Sequence, residues 1–316
     1  MIAGTFHEVR QVRLIPFVCG AGAKLAGSER GPVEIKKHGL QAELSSAWRQ
    51  VAWQEDPEIL YLRERDMMAA LPPLGSPERR IVVLDHCRDI ADRVEAVVRS
   101  GAMPVTLGGD HSMAAGTIAG FARAKNAHGR IGVIWIDAHG DIHTPETSPS
   151  KAIHGMPVAS LLGIGDKDFS MIGGAVPVLR PEHIAYLGLR STEPEEDERI
   201  RAMGIRAYAM KDISPACTEE VFNQAWEVVT QGTDYFVLSI DLDAFDPEEA
   251  SSVGSPEPGG FKKAETLAAL GKLAAKRMPD MIEIVEFNPA MGDADKTYAL
   301  LRDILKALLG ERILYG

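Results

Sequence analysis

Asp137-Ala138-His139-Gly140-Asp141, directly after the apolar run Ile131–Ile136, is the stretch that decides the fold. A short apolar run closed by a polar turn reads as a buried strand. In extended chain alternate side chains share a face, so Asp137, His139 and Asp141 point the same way. Two other apolar runs end alike. Met103 to Leu107 leads into Gly108-Gly109-Asp110-His111-Ser112, and Phe236 to Ile240 into Asp241-Leu242-Asp243. Carboxylates gathered with no basic partner repel one another and raise each other's pKa. Two divalent cations cancel that charge, so the three stretches read together as a two-metal site.

Outward from these motifs, strand-like and helical segments alternate. Further strands are expected at Val12–Phe17, Ile81–Leu84, Ile184–Gly188, Ile205–Ala209 and Met281–Val285. Helical periodicity marks Asp89–Ser100, Thr218–Gln231 with Thr218 as its cap, Lys262–Arg277 and Asp295–Leu309. The pattern predicts a single-domain, doubly wound α/β fold over residues 1–316, a mostly parallel sheet with helices on both faces. The Pro/Gly-rich pieces Pro72–Pro77, Thr144–Ser150 and Gly254–Gly260 read as loops within that domain. Parallel strands end on one edge, where ligands of open α/β sheets gather. His111, Asp137, Asp241 and Glu286 each fall at or just past the end of a different run, so the sheet brings them together.

Composition narrows the function. The formal charge of −11 argues against nucleic acid and anionic membrane as partners. No apolar run is long enough to span a bilayer, and Met1 to Arg10 carries His7 and Glu8 where a signal peptide needs an apolar stretch. Cys19, Cys87 and Cys217 are odd in number and widely spaced, which fits reduced buried thiols in a cytoplasmic protein.

Oxygen-rich ligation with two imidazoles favours Mn²⁺ first, with Fe²⁺, Co²⁺, Ni²⁺ or Zn²⁺ as alternatives. Two such cations lower the pKa of a shared water toward neutrality. A single Asp at a strand end is an ordinary loop start. Asp-x-His-x-Asp beside a separate Asp-x-Asp, each after an apolar run, is not. Read locally, His154 in Ile153-His154-Gly155-Met156-Pro157 fits an ordinary loop or capping histidine better than a functional one, and Glu286 in Val285-Glu286-Phe287-Asn288-Pro289 fits a lysine partner or turn cap as well as function. Trp135 and Phe287 read as core, and Glu193–Arg199 as a solvated helix start.

Gly-Gly-Asp-His-Ser, Asp-Ala-His-x-Asp, Ser-x-Asp-x-Asp and Val-Glu-x-Asn-Pro, in this order and spacing, resemble the ureohydrolases, the family of arginase, agmatinase and their relatives. The resemblance runs from Pro16 through Arg30-Gly31-Pro32 to Pro289, and Asp137 to Pro157 is most similar to bacterial arginase. It implies release of urea from a guanidino compound, L-arginine first, with agmatine or another guanidino acid as the alternative. It implies one manganese on His111, Asp137, Asp141 and Asp241, and a second on Asp137, His139, Asp241 and Asp243. His154 matches the proton-shuttling histidine and Glu286 the carboxylate that receives the guanidinium, so His154, Glu286 and Asp141 form the catalytic set. Ser255 takes the place of a family threonine near that glutamate. Ser148 and Ser150 keep substrate-binding positions, while His143 and Lys151-Ala152 replace asparagine-containing positions that contact the α-carboxylate. Glu193 stands for an aspartate that meets the α-amino group, and Glu257-Pro258 for an aliphatic pair. The resemblance also implies a homo-oligomer, trimer or hexamer. A phosphatase lacks its phosphate cradle here; a non-catalytic metal-binding protein of the same fold is the reading from another class.

Overall fold

The structure is a computed structural model and describes residues 10–45, 49–54 and 71–310. The segment 1–9 read above for a signal peptide lies outside the described residues.

Eight parallel strands form one sheet in the order β2-β1-β3-β8-β7-β4-β5-β6. They are β1 (Arg10–Pro16), β2 (Arg49–Trp53), β3 (Met103–Leu107), β4 (Ile131–Ile136), β5 (Ile184–Leu189), β6 (Arg206–Ala209), β7 (Tyr235–Asp241) and β8 (Met281–Val285). Every residue of β3, β4, β5 and β8 is buried. That is why they read as continuous apolar runs: helices cover both faces, as a parallel sheet requires. One face packs on helices Pro77–Arg99, Ala114–Lys125 and Pro157–Leu161, the other on Thr218–Thr230, Lys263–Lys276 and Ala294–Leu309. Trp135 and Phe287 are core residues, as expected. No helix among the described residues is long and apolar enough to cross a membrane.

Three expectations need correction. Ile81–Leu84 is not a strand but part of the helix Pro77–Arg99. Ser76 accepts from Arg79 N and Pro77 presets the first turn, so the apolar run winds helically; Val83 and Leu84 turn inward while Ile81 is left 51% exposed. Edge strand β2 went unread because only Val51 of its five residues is buried. Thr218 is the first residue of its helix, not the cap, and a 3₁₀ turn Pro215–Cys217 after Ser214 starts the chain into it. Cys217 is also only half-buried, unlike Cys19 and Cys87; all three are free thiols.

Candidate metal centre

The motifs meet over the carboxyl ends of four adjacent strands, β3-β8-β7-β4. His111 lies in a one-turn 3₁₀ helix after β3, capped by Asp110, whose Oδ1 accepts from Ser112 N at 3.0 Å. Gly109 makes this turn fit. Its N donates to Phe17 O at 2.9 Å, and a Cβ there would collide with the Cys19 carbonyl. Asp137 follows β4, Asp241 ends β7 and Glu286 follows β8. Asp141 and Glu286 adopt left-handed backbone, φ 50° and 64°. Such strain costs about 1–3 kcal/mol per residue and persists where surrounding contacts enforce it.

His111 Nδ1 faces three carboxylates: Asp137 Oδ2 at 3.1 Å, Asp141 Oδ2 at 3.0 Å and Asp241 Oδ2 at 3.3 Å. His139 Nδ1 faces Asp243 Oδ2 at 3.1 Å and Asp137 Oδ1 at 3.5 Å. His111, Asp137 and Asp241 form one group able to hold a metal ion, and Asp137, His139 and Asp243 another. Asp137 is common to both. Supporting contacts fix the orientations. Trp135 Nε1 donates to Asp137 Oδ2 at 2.9 Å while its ring stacks on His111, and Ser239 Oγ lies 2.8 Å from His111 Nε2. Such outer contacts set the tautomer and aim of a metal-ligating imidazole.

The residues fit the implied cations. His111 Nδ1 is buried with no hydrogen-bond partner, aimed into the carboxylates. Burial and the charges of Asp243 and Asp137 push Asp241 well above the carboxylate range; burial and Asp137 bring Asp141 up to about 6. Burial raises Asp243, with His139 opposing. Burial pulls both imidazoles down, but the facing carboxylates outweigh it and hold His111 and His139 well above their ordinary value. Asp137 alone of the four is lowered: burial would raise it, but the facing His111 and His139 imidazoles outweigh that.

These shifts give a pH prediction for the metal-free chain. A raised imidazole contributes stability below its ordinary pKa of about 6.5, lost as pH rises through the folded value. Raised Asp241 and Asp243 have the same sign, since folding favours their protonated forms. Asp137 opposes only in acid. The Tm of chelated protein is therefore expected to fall from about pH 6 to about pH 9, and the Tm gain on adding Mn²⁺ to grow over the same range. Calorimetry at several pH values checks this; a chelated Tm that rises with pH contradicts it.

Beside the cluster, Glu286 Oε1 accepts from His111 N at 2.8 Å and meets His154 Nδ1 at 3.0 Å. Burial alone would raise Glu286, but His154 outweighs it and the carboxyl is lowered. Burial alone would lower His154, but Glu286, with Asp110 and Asp141, holds it above the ordinary value. The bridge Val253↔Phe287 brings the Ser255 loop alongside.

The cleft leading outward is lined by His139, Asp141, Asp241, Asp243, His154, His143, Ser148, Ser150, Glu193 and Ser255. His143 sits between Thr147 Oγ1 at 3.1 Å and Glu193 Oε2 at 3.2 Å. Lys151 does not join them. Its Nζ folds back onto Pro145 O at 2.7 Å, and it lines a neighbouring cavity with Arg80 and Phe169. Left-handed backbone at Lys151, φ 59°, aims it there.

Sequence reasoning missed Lys24 and Glu196 on the cleft wall. Glu193–Arg199 is not simply a solvated helix start: Glu196 is 2% exposed and closes a capping box with Glu193. Burial and the contact with Glu193 push Glu196 up to about 8. The Glu193-x-x-Glu196 spacing is the signal that announced it.

An open parallel α/β sheet with a twin His/Asp cluster over its central strand ends defines a metal-dependent α/β enzyme class. The arginase family model matches residues 10–310. The chain is 40% identical over 225 residues to an arginase of Bacillus caldovelox, covering 71% of this chain and 74% of that one. It is 34% identical to an arginase of Brevibacillus brevis, over 93% of this chain and 95% of that one. A crystal structure of arginase from Bacillus subtilis superposes with a TM-score of 0.85 at 32% identity, covering 96% of this chain and 100% of that one. The chain belongs to the arginase family.

Proposed function

We propose that this protein is a binuclear manganese hydrolase that cleaves L-arginine to L-ornithine and urea. The observation that carries the reading is the pairing of the His/Asp twin cluster with a buried carboxylate, Glu286, held beside it by His154. His111, Asp137, Asp141 and Asp241 would hold one cation and Asp137, His139, Asp241 and Asp243 the other. When bound, the cations supply Lewis acidity that brings the pKa of a water toward neutrality.

The chain's own residues do the rest. Glu286, kept anionic by His154, receives the planar guanidinium through charge-assisted hydrogen bonds and turns its carbon toward the cluster. The C–N bond breaks only as the departing amine gains a proton, and His154, its imidazole held protonatable by Glu286, is the acid in reach. Asp141 serves as a ligand and as a proton acceptor beside His111. Glu193, with His143 and Glu196, faces the substrate's ammonium, while Ser148, Ser150 and Ser255 offer hydroxyls to the rest of its polar body. We further assign residues 1–316 to one domain, the protein to the cytoplasm, and its assembly to a trimer or hexamer; free Cys19, Cys87 and Cys217 support the location.

Urea release from a guanidine panel tests the reading. Manganese-loaded protein is expected to favour L-arginine over agmatine and simple guanidino acids. Preference for a guanidino acid would leave a ureohydrolase of different substrate, and urea from none would remove the hydrolase.

A further inference from the structure

Lys24 is the only lysine or arginine on the cleft wall among the described residues, and it carries no ion pair among them. We infer that Lys24 is the specificity-determining residue that anchors the carboxylate of the amino-acid substrate, a deepening that rests on the reading above.

The backbone around it is built for placement. Gly22 N donates to the buried Asp110 Oδ2 at 2.8 Å, and Gly22 O accepts from His154 N at 3.2 Å. Arg79 closes the turn from the other side, with Nε on Ala21 O at 2.7 Å and Nη2 on Ala23 O at 2.9 Å. A Cβ at Gly22 would stand only 2.5 Å from Asp110 Oδ1, so this close approach requires glycine. Asp110 is also the residue that caps the His111 turn. One buried carboxylate thus ties the Lys24 turn to the metal motif, and His154 ties it to the catalytic side of the cleft. The side chain of Lys24 is exposed, but its origin is fixed on three sides.

The same cleft also carries the complementary charge. Glu193, Glu196 and His143 form an acid-rich group suited to an ammonium and not to a carboxylate. Lys151, the other cation of this region, is bound to its own loop. A substrate whose guanidinium lies on Glu286 and whose far end carries both an ammonium and a carboxylate therefore finds Glu193 for one and Lys24 for the other. The two charges together read the head group as a dipole, and a lysine supplies its charge as a mobile point donor that matches either carboxylate oxygen.

Steady-state kinetics on manganese-loaded protein tests this with L-arginine and with agmatine, which lacks the carboxylate. Lys24→Ala should raise KM for L-arginine about tenfold or more with little change in kcat, since a ground-state contact is lost. Agmatine should change by less than about twofold, and Lys24→Arg should recover most of the L-arginine affinity. Equal losses on both substrates, or an unchanged KM for L-arginine, overturn the assignment. A calorimetric titration of L-ornithine into both proteins separates this from the reading of function. If unmodified protein releases no urea, that reading fails by itself. The Lys24 assignment then stands only if L-ornithine binds and loses about tenfold in Kd in Lys24→Ala; failure to bind, or equal binding, overturns it.

Discussion

Asp137→Asn is expected to remove metal from both positions and with it the activity. Asp137 belongs to both groups of side chains able to hold a metal ion. Its Oδ1 accepts from His139 N at 2.7 Å and its Oδ2 from Trp135 Nε1 at 2.9 Å, so each oxygen is already committed in direction. An amide would set an N–H₂ against another donor and remove one of the four carboxylate charges facing the two imidazoles. Loss of a residue that only supports a ligand typically costs 10- to 100-fold in affinity or activity, so a ligand shared by two ions should cost more than about 100-fold. His111→Ala, which touches one group, should cost less. Metal content by mass spectrometry beside urea release checks this, and an Asp137→Asn protein that keeps both ions and its turnover refutes it.

Glu286→Gln and His154→Ala should do the reverse: keep the metal and lose the chemistry. Glu286 lies outside both ligand groups, and its shape survives as glutamine, including acceptance from His111 N. What disappears is the charge that receives a guanidinium, so kcat/KM should collapse by roughly 10²- to 10⁴-fold while the ion count holds. In His154→Ala the departing amine has no positioned acid, and kcat should fall over a similar range of roughly 10²- to 10⁴-fold. Loss of an ion from Glu286→Gln would make Glu286 a ligand. An unchanged kcat in His154→Ala would remove His154 from the proton path.

The central strands were legible because burial on both faces leaves a pure apolar run. Met103–Leu107, Ile131–Ile136 and Met281–Val285 match the expected bounds. The cluster residues were legible because each motif sits at the end of such a run, where topology does the gathering. Ile81–Leu84 failed as a strand because four apolar residues carry no period of their own, and the cap that decides for helix lies at Ser76, outside the run. Lys24 and Glu196 failed for different reasons. Glu196 looked like one more surface charge until its helix start packed against the Asp141–His143 loop, where it accepts from Ile142 N at 3.2 Å. Lys24 belongs to no ligand or strand pattern; its place at the cleft comes from hydrogen bonds to Asp110, His154 and Arg79. Long-range clamps of that kind leave no local trace. Lys151 is the converse, a residue placed near the cleft by its loop and turned from it by its own φ.

The measurement that tests the central claim most directly is a stepwise addition of Mn²⁺ to thoroughly chelated protein, with heat of binding and urea release from L-arginine followed together. A binuclear cluster sharing Asp137 and Asp241 predicts saturation near two equivalents per chain, with urea release absent at the start and rising as the second equivalent fills. Full urea release before any metal is added, or saturation at one equivalent with full activity, would contradict it.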